Sequence, residues 1–134
     1  MNSNAASAYQ NAQFENAPPI KILQMLNAGA IRYLKIAQAT DVKSADYRKH
    51  LRMAEEIIGE LRASLDHEPN PDLSANLEGL YIFMQDELGR SLLEEDPRGI
   101  VNAIRIMETL LDAWRGANLQ HEETPGAEGL HNAG

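Results

Sequence analysis

Four segments of the chain place apolar residues at three- and four-residue intervals, which is the spacing of one face of an α-helix. No segment shows the apolar-polar alternation of a half-buried strand. The pattern therefore predicts an all-α fold, an antiparallel four-helix bundle. The four apolar stripes are, in chain order, Ile20, Leu23, Leu26, Ala30, Tyr33, Leu34 and Ala37; Leu51, Ala54, Ile58, Leu61 and Leu65; Leu73, Leu77, Leu80, Tyr81, Met84 and Leu88; and Ile100, Ile104, Met107, Leu111 and Trp114.

Proline and capping residues mark where the helices begin. Asn70-Pro71-Asp72 combines a capping side chain, a proline suited to the first turn and an acid near the positive end of the helix dipole. Pro18-Pro19 and Asp96-Pro97 give similar signals. We expect a flexible N-terminal arm over residues 1–17, the bundle over 18–119 and a disordered tail over 120–134.

Composition and charge exclude several classes of function. Twelve Lys and Arg face twenty Asp and Glu, and the basic residues are scattered, so nucleic acid is not an expected partner. The absence of cysteine excludes disulfides and thiolate metal sites. The sequence contains neither a secretory signal pattern nor an apolar run long enough to insert into a membrane. We expect a cytoplasmic protein.

The histidines provide little for catalysis or metal binding. The only Glu-x-x-His spacing is Glu128-Gly-Leu-His131, in the expected tail. His50 is the one candidate for a histidine phosphotransfer bundle, although it lacks the usual surrounding motif. There is no phosphate-binding loop and no nucleophile elbow. We therefore expect no enzyme activity, no cofactor and no metal.

Several helices contain more apolar residues than one buried stripe needs. Ile57 adjoins Ile58, Ile106 and Leu110 widen the fourth stripe, and residues 81–84 are apolar around a whole turn. Part of this surplus should lie in grooves at the surface. Apolar grooves on helical proteins usually bind the apolar face of a partner helix.

The order and spacing of several short motifs indicate a family. They are Ala8-Tyr9, Ala17-Pro18, Ile22-Leu23-Gln24-Met25-Leu26, the run from Gly29 to Leu34, Ile57-Ile58-Gly59-Glu60-Leu61, Ser64-Leu65-Asp66, Asn76-Leu77, Leu80-Tyr81, Met84, Asp96, Leu111 and Trp114. Over roughly residues 8–117 the chain resembles the FliS family of flagellin export chaperones.

The resemblance implies a chaperone that binds the C-terminal amphipathic segment of flagellin, prevents premature polymerisation and keeps the subunit competent for flagellar type III export. A component of the export gate is a second candidate partner. In this family the arm's tyrosine covers apolar surface that the client also uses, and Tyr9 is the matching position. A histidine phosphotransfer protein and a helical adaptor with a different partner stay as alternatives. The candidate partner-binding residues are Tyr9, Ile57, Ile58, Leu61, Leu77, Leu80 and Tyr81.

Two residue pairs depart from the family pattern. The family usually has an aromatic residue and an acid where this chain has Asn27-Ala28. It usually has an acid and an aromatic residue where this chain has Ile82-Phe83. The second change makes the surface expected there more apolar, so we expect either a different flagellin as the client or an additional partner.

Overall fold

Each apolar segment forms a helix in the computed structural model, which describes residues 19–123, with side chains from residue 20 to residue 116. Within that part of the chain there is no strand, which confirms the all-α prediction. The expected arm, with Tyr9, and the end of the tail lie outside the described residues. The helices are α1 (Pro19–Gln38), α2 (Ala45–Ala63), α3 (Pro71–Glu94) and α4 (Arg98–Glu123).

Local sequence signals account for the helix starts. The side chain of Ser44 accepts a hydrogen bond from the backbone N–H of Tyr47 and caps α2. Asn70 Oδ1 accepts from Leu73 N at 3.2 Å and caps α3, with Pro71 in the first position as expected. The last helix starts at Arg98, just after Asp96-Pro97, and extends to Glu123, past the expected end of the bundle at residue 119.

The helices pack as a closed square. Each helix contacts its neighbours in sequence, and α4 also packs against α1, so α1 and α3 lie diagonally opposite each other. Short connections, residues 39–44, 64–70 and 95–97, join consecutive helices and reverse the chain direction each time. The structure confirms the predicted antiparallel four-helix bundle.

Aliphatic side chains fill most of the core, as the low aromatic content requires. Alanines at positions 30, 37, 54 and 103 are also fully buried and allow the helices to approach closely. Tyr47 and Tyr81 are the largest fully buried side chains. Tyr47 donates a 2.8 Å hydrogen bond from its hydroxyl to the Ser91 carbonyl, which joins the start of α2 to the end of α3, and its burial raises the pKa of this phenol.

A buried carboxylate links α3 to α4. Glu87 accepts hydrogen bonds from Asn102 Nδ2 on α4 at 2.9 Å and from Arg90 Nη1 at 2.8 Å. These bonds, the one from Asn102 above all, lower the pKa of Glu87. The helices α3 and α4 can approach closely at this point because residue 99 on α4 is a glycine, which has no Cβ to meet the Glu87 backbone.

The turn between α3 and α4 gives the protein a source of acid sensitivity. The Arg98 guanidinium donates to both carboxylate oxygens of Asp96, at 2.7 Å for Nη2 to Oδ2, and its backbone N–H donates to Oδ1. These hydrogen bonds lower the pKa of Asp96 to about 2. A carboxyl whose pKa falls on folding stabilises the folded state above its ordinary pKa, and this stability is lost as the pH falls towards the folded-state value.

We therefore expect Asp96→Asn to be less stable than the unmodified protein at pH 5 and the difference to shrink as the pH falls from about 4 to about 2. Urea unfolding midpoints measured at several pH values check this expectation. A difference that stays constant down to pH 2 would show that Asp96 does not stabilise the fold through its charge.

Candidate functional site

The candidate partner-binding residues divide between the core and the surface. Leu80 is exposed, with 37% of its surface accessible. Tyr9 lies outside the described residues. The other five are buried, so a partner cannot reach them in this conformation; they are Ile57, Ile58, Leu61, Leu77 and Tyr81. A role in partner binding stays a prediction for all seven.

The position of α2 in the bundle explains why its surplus apolar residues are buried. This helix packs against α1 on one side and α3 on the other. Adjacent residues such as Ile57 and Ile58 lie about 100° apart on a helix. Both can therefore pack against a neighbouring helix. Ile57 faces α1, where its Cδ1 lies 3.5 Å from the position of a Cβ on Gly29. The width of the apolar stripe thus reflects two neighbouring helices.

Exposed apolar side chains are concentrated on α3. Five of the eight large apolar side chains that are exposed among the described residues belong to this helix. The other three are Met25 and Ile36 on α1 and Val101 on α4. We call the group on α3 the α3 surface; it consists of Leu73, Leu80, Ile82, Phe83 and Leu93.

Helical geometry gives the α3 surface two edges. Phe83 and Leu80 lie one and two turns before Glu87, whose side chain meets α4, so they lie along the α4 side of the helix. Ile106, one turn after Asn102 on α4, is partly buried on that same side. Ile82 is 100° from Phe83 around the helix and lies one turn after Glu78, which pairs with Arg62 on α2. The surface therefore extends from the α4 side of α3 across its outer face towards the α2 side.

The charges around this surface are mainly acidic. Arg90 is the only basic residue of α3, and it is paired with Glu87. Glu78 is paired with Arg62 on α2 at 3.3 Å and lies 3.6 Å from His67. Asp72 and Asp86 are exposed and form no ion pair with any described residue. A partner would meet an apolar surface with unpaired negative charge beside it.

The two residue pairs that depart from the family pattern have different environments. Asn27 is fully buried and donates a 2.7 Å hydrogen bond from Nδ2 to the Leu23 carbonyl, one turn earlier in α1. The departure from the family pattern at residue 27 therefore alters the core. Ile82 and Phe83 are exposed, at 37% and 45%. Ala28, the second residue of the first departure, is partly buried and lines the cleft between α1 and α4, so the second departure is the more exposed of the two.

Within the described residues, His, Asp and Glu side chains form no group of three or more that could hold a metal ion. His50 Nδ1 lies 2.8 Å from the Asp46 carbonyl, and its ring packs 6.0 Å from that of Tyr33, so its contacts are those of a helix-surface residue. None of the described helices is both long enough and apolar enough to span a membrane.

Two surface clefts contain mainly paired charges. A cleft of about 330 Å³ at the α3–α4 turn is lined by the ion pairs Arg90–Glu87 and Arg98–Asp96. A cleft of about 270 Å³ between α1 and α4 is crossed by the Lys35–Glu108 pair at 3.2 Å. Both clefts therefore contain ion pairs, but Glu94 in the first and Asp112 and Arg115 in the second form no ion pair with a described residue.

A small helical bundle whose exposed apolar side chains gather on one helix is typical of helical protein-binding modules. Comparison with known proteins specifies the family. Residues 1–121 match the family model described as flagellar protein FliS. The chain belongs to the FliS family.

Three relatives in that family cover most of the chain. The flagellar secretion chaperone FliS of Vibrio cholerae serotype O1 is 31% identical over 120 residues, which are 88% of each chain. The Campylobacter jejuni protein of the same name is 28% identical over 117 residues, covering 85% of this chain and 91% of its own. The Bacillus subtilis protein of that name is 25% identical over 131 residues, covering 95% and 96%.

Proposed function

We propose that this protein is an export chaperone that binds the C-terminal amphipathic segment of flagellin in the cytoplasm. Binding would cover the segment, prevent premature polymerisation and keep the subunit competent for flagellar type III export. Membership of the FliS family supports the export-chaperone role. The observation that supports a helical client is the α3 surface, where exposed apolar side chains are concentrated on one helix.

The α3 surface has the properties that binding an amphipathic helix requires. Apolar side chains of a client helix would pack against Phe83, Ile82 and Leu80 and remove them from water. Complete burial of such a side chain stabilises by about 1.5–3 kcal/mol, so covering the exposed part of Phe83 is expected to contribute about 1 kcal/mol. Binding by covered surface needs no reaction centre, and we propose no enzyme activity.

Two further roles belong to this proposal. The arm would cover part of the client site until flagellin displaces it, with Tyr9 as the contacting residue. A component of the export gate would bind the loaded chaperone. Tyr9 lies outside the described residues, so the support for its role is the family pattern at Ala8-Tyr9.

Isothermal titration calorimetry with flagellin tests the proposal. We expect the full-length chaperone to bind intact flagellin and not to bind flagellin that lacks its C-terminal segment. Phe83→Ala is expected to weaken binding about fivefold, since 1 kcal/mol corresponds to that factor. Met25→Ala is the matched control, because Met25 is exposed on α1, away from the α3 surface.

Equal binding of intact and truncated flagellin would contradict the proposed client segment. Equal weakening by Phe83→Ala and Met25→Ala would instead show that exposed apolar area anywhere on the bundle contributes to binding. In that case the α3 surface would have no special role.

A further inference from the structure

Gly79 is a glycine in the middle of α3 that the fold does not explain. Glycine is less favourable in a helix interior than every residue except proline. A Cβ at Gly79 would meet nothing within 4 Å. At Gly29 and Gly59, by contrast, a Cβ would lie 3.5 Å from a side chain of a neighbouring helix. The missing side chain at Gly79 therefore leaves open space on the outside of the bundle.

The residues around Gly79 form a shallow trough, with large apolar side chains on the side towards the C-terminus of α3. Its neighbours one turn earlier are Ala75 and Asn76, and one turn later they are Ile82 and Phe83. All four are exposed. Ile82 and Phe83 diverge by 100° around the helix, one on each side of the row that contains Gly79. A helix backbone could approach α3 closely here, with its side chains against these two.

Unpaired carboxylates lie at both ends of this trough. Asp72 is seven residues before Gly79 and Asp86 is seven residues after it, so all three share one row of the helix. The two carboxylates are about 21 Å apart along the axis, given a rise of 1.5 Å per residue. Neither forms an ion pair with a described residue, whereas Glu78 and Glu87 of the same helix do.

From these observations we infer that a client helix crosses α3 at Gly79, with its apolar face between Ile82 and Phe83 and Lys or Arg side chains facing Asp72 and Asp86. A crossing angle near 20° keeps two helices in contact over such a length. Charge complementarity assigns the occupant a basic flank, in agreement with the acidic character of α3 and the formal charge of −8. The inference rests on the proposed function, because the helix belongs to the C-terminal segment of flagellin.

Substitutions at two exposed glycines distinguish an effect on the approach of the client helix to α3 from an effect on the stability of the chaperone's own helices. Gly79→Gln places a long side chain in the trough, whereas Gly116→Gln makes the same change on α4, where a Cβ also meets nothing within 4 Å. Because glutamine forms helices better than glycine, neither variant should melt at a lower temperature. We expect Gly79→Gln to weaken binding of a peptide with the flagellin C-terminal sequence at least tenfold and Gly116→Gln to leave it unchanged.

The carboxylates are tested by the salt dependence of the same binding reaction. Asp86→Asn is expected to weaken binding at low ionic strength, and this loss should disappear in high salt because salt screens exposed charges. The matched variant Asp112→Asn removes an exposed carboxylate from α4 and should have no effect.

The outcomes distinguish this inference from the proposed function. Binding by the unmodified protein with no loss in Gly79→Gln would overturn the crossing at Gly79 and leave the chaperone proposal intact. A failure of the unmodified protein to bind the peptide, and flagellin itself, would overturn both. Equal losses in Gly79→Gln and Gly116→Gln would also overturn the crossing.

Discussion

Replacing Gly99 by alanine is expected to lower the free energy of unfolding by about 1–3 kcal/mol, the usual cost of overpacking a close contact. A Cβ at this position would lie 2.5 Å from the Glu87 carbonyl oxygen and 2.6 Å from Ser91 Oγ. The nearest obstacle is backbone, which cannot rotate away, so α3 and α4 would have to separate. Urea unfolding followed by circular dichroism measures the loss.

Gly116→Ala is the control for this experiment. It lies on the same helix, and a Cβ there would meet nothing within 4 Å. Alanine should therefore leave the stability unchanged or raise it by up to about 1 kcal/mol through its better helix propensity. If Gly99→Ala were as stable as Gly116→Ala, that result would contradict the close approach of α4 to the Glu87 backbone.

The sequence is sufficient to predict the helices and their order, because the signals for both are local. Apolar spacing of three and four residues identifies the helical segments, and Asn70-Pro71 identifies the start of α3 within one residue. Short connections then leave the antiparallel arrangement as the simplest packing. The start of α4 at Arg98 follows equally from Asp96 and Pro97.

The division between core and surface is harder to predict because it depends on the number of neighbours of each helix. The apolar pair Ile57-Ile58 and the apolar pair Ile82-Phe83 look alike in the sequence. The first pair is buried between two helices, and the second is exposed. Regular spacing of three and four residues does not separate them, because it omits buried Ile57 on α2 as well as exposed Ile82 and Phe83 on α3.

Stability and client binding should therefore depend on different members of the set of candidate partner-binding residues. Leu61 is 1% exposed and Leu80 is 37% exposed, although both were candidates for the partner site. A buried residue can affect binding only through the fold, whereas an exposed residue can contact a client directly. Substitutions at Leu61 and at Leu80 should therefore affect different properties of the protein.

Leu61→Ala is expected to lower the free energy of unfolding by about 2–5 kcal/mol, because it removes buried methyl groups and leaves a cavity. Leu80→Ala should lower it by about 1 kcal/mol or less, since its side chain is partly in water already. The expected order is reversed for flagellin binding. At a temperature where both variants are folded, Leu80→Ala should bind flagellin more weakly than the unmodified protein does, and Leu61→Ala should bind it with unchanged affinity. Urea unfolding and calorimetric titration of the same samples measure both quantities.

Leu61→Met keeps the test informative if Leu61→Ala does not fold. Methionine nearly conserves the volume and usually costs less than about 1.5 kcal/mol in a core. This variant should bind flagellin with unchanged affinity. If a folded Leu61 variant bound flagellin several times more weakly while Leu80→Ala bound normally, the client would have to open the bundle and contact its interior. The α3 surface would then not be the place where the client helix binds.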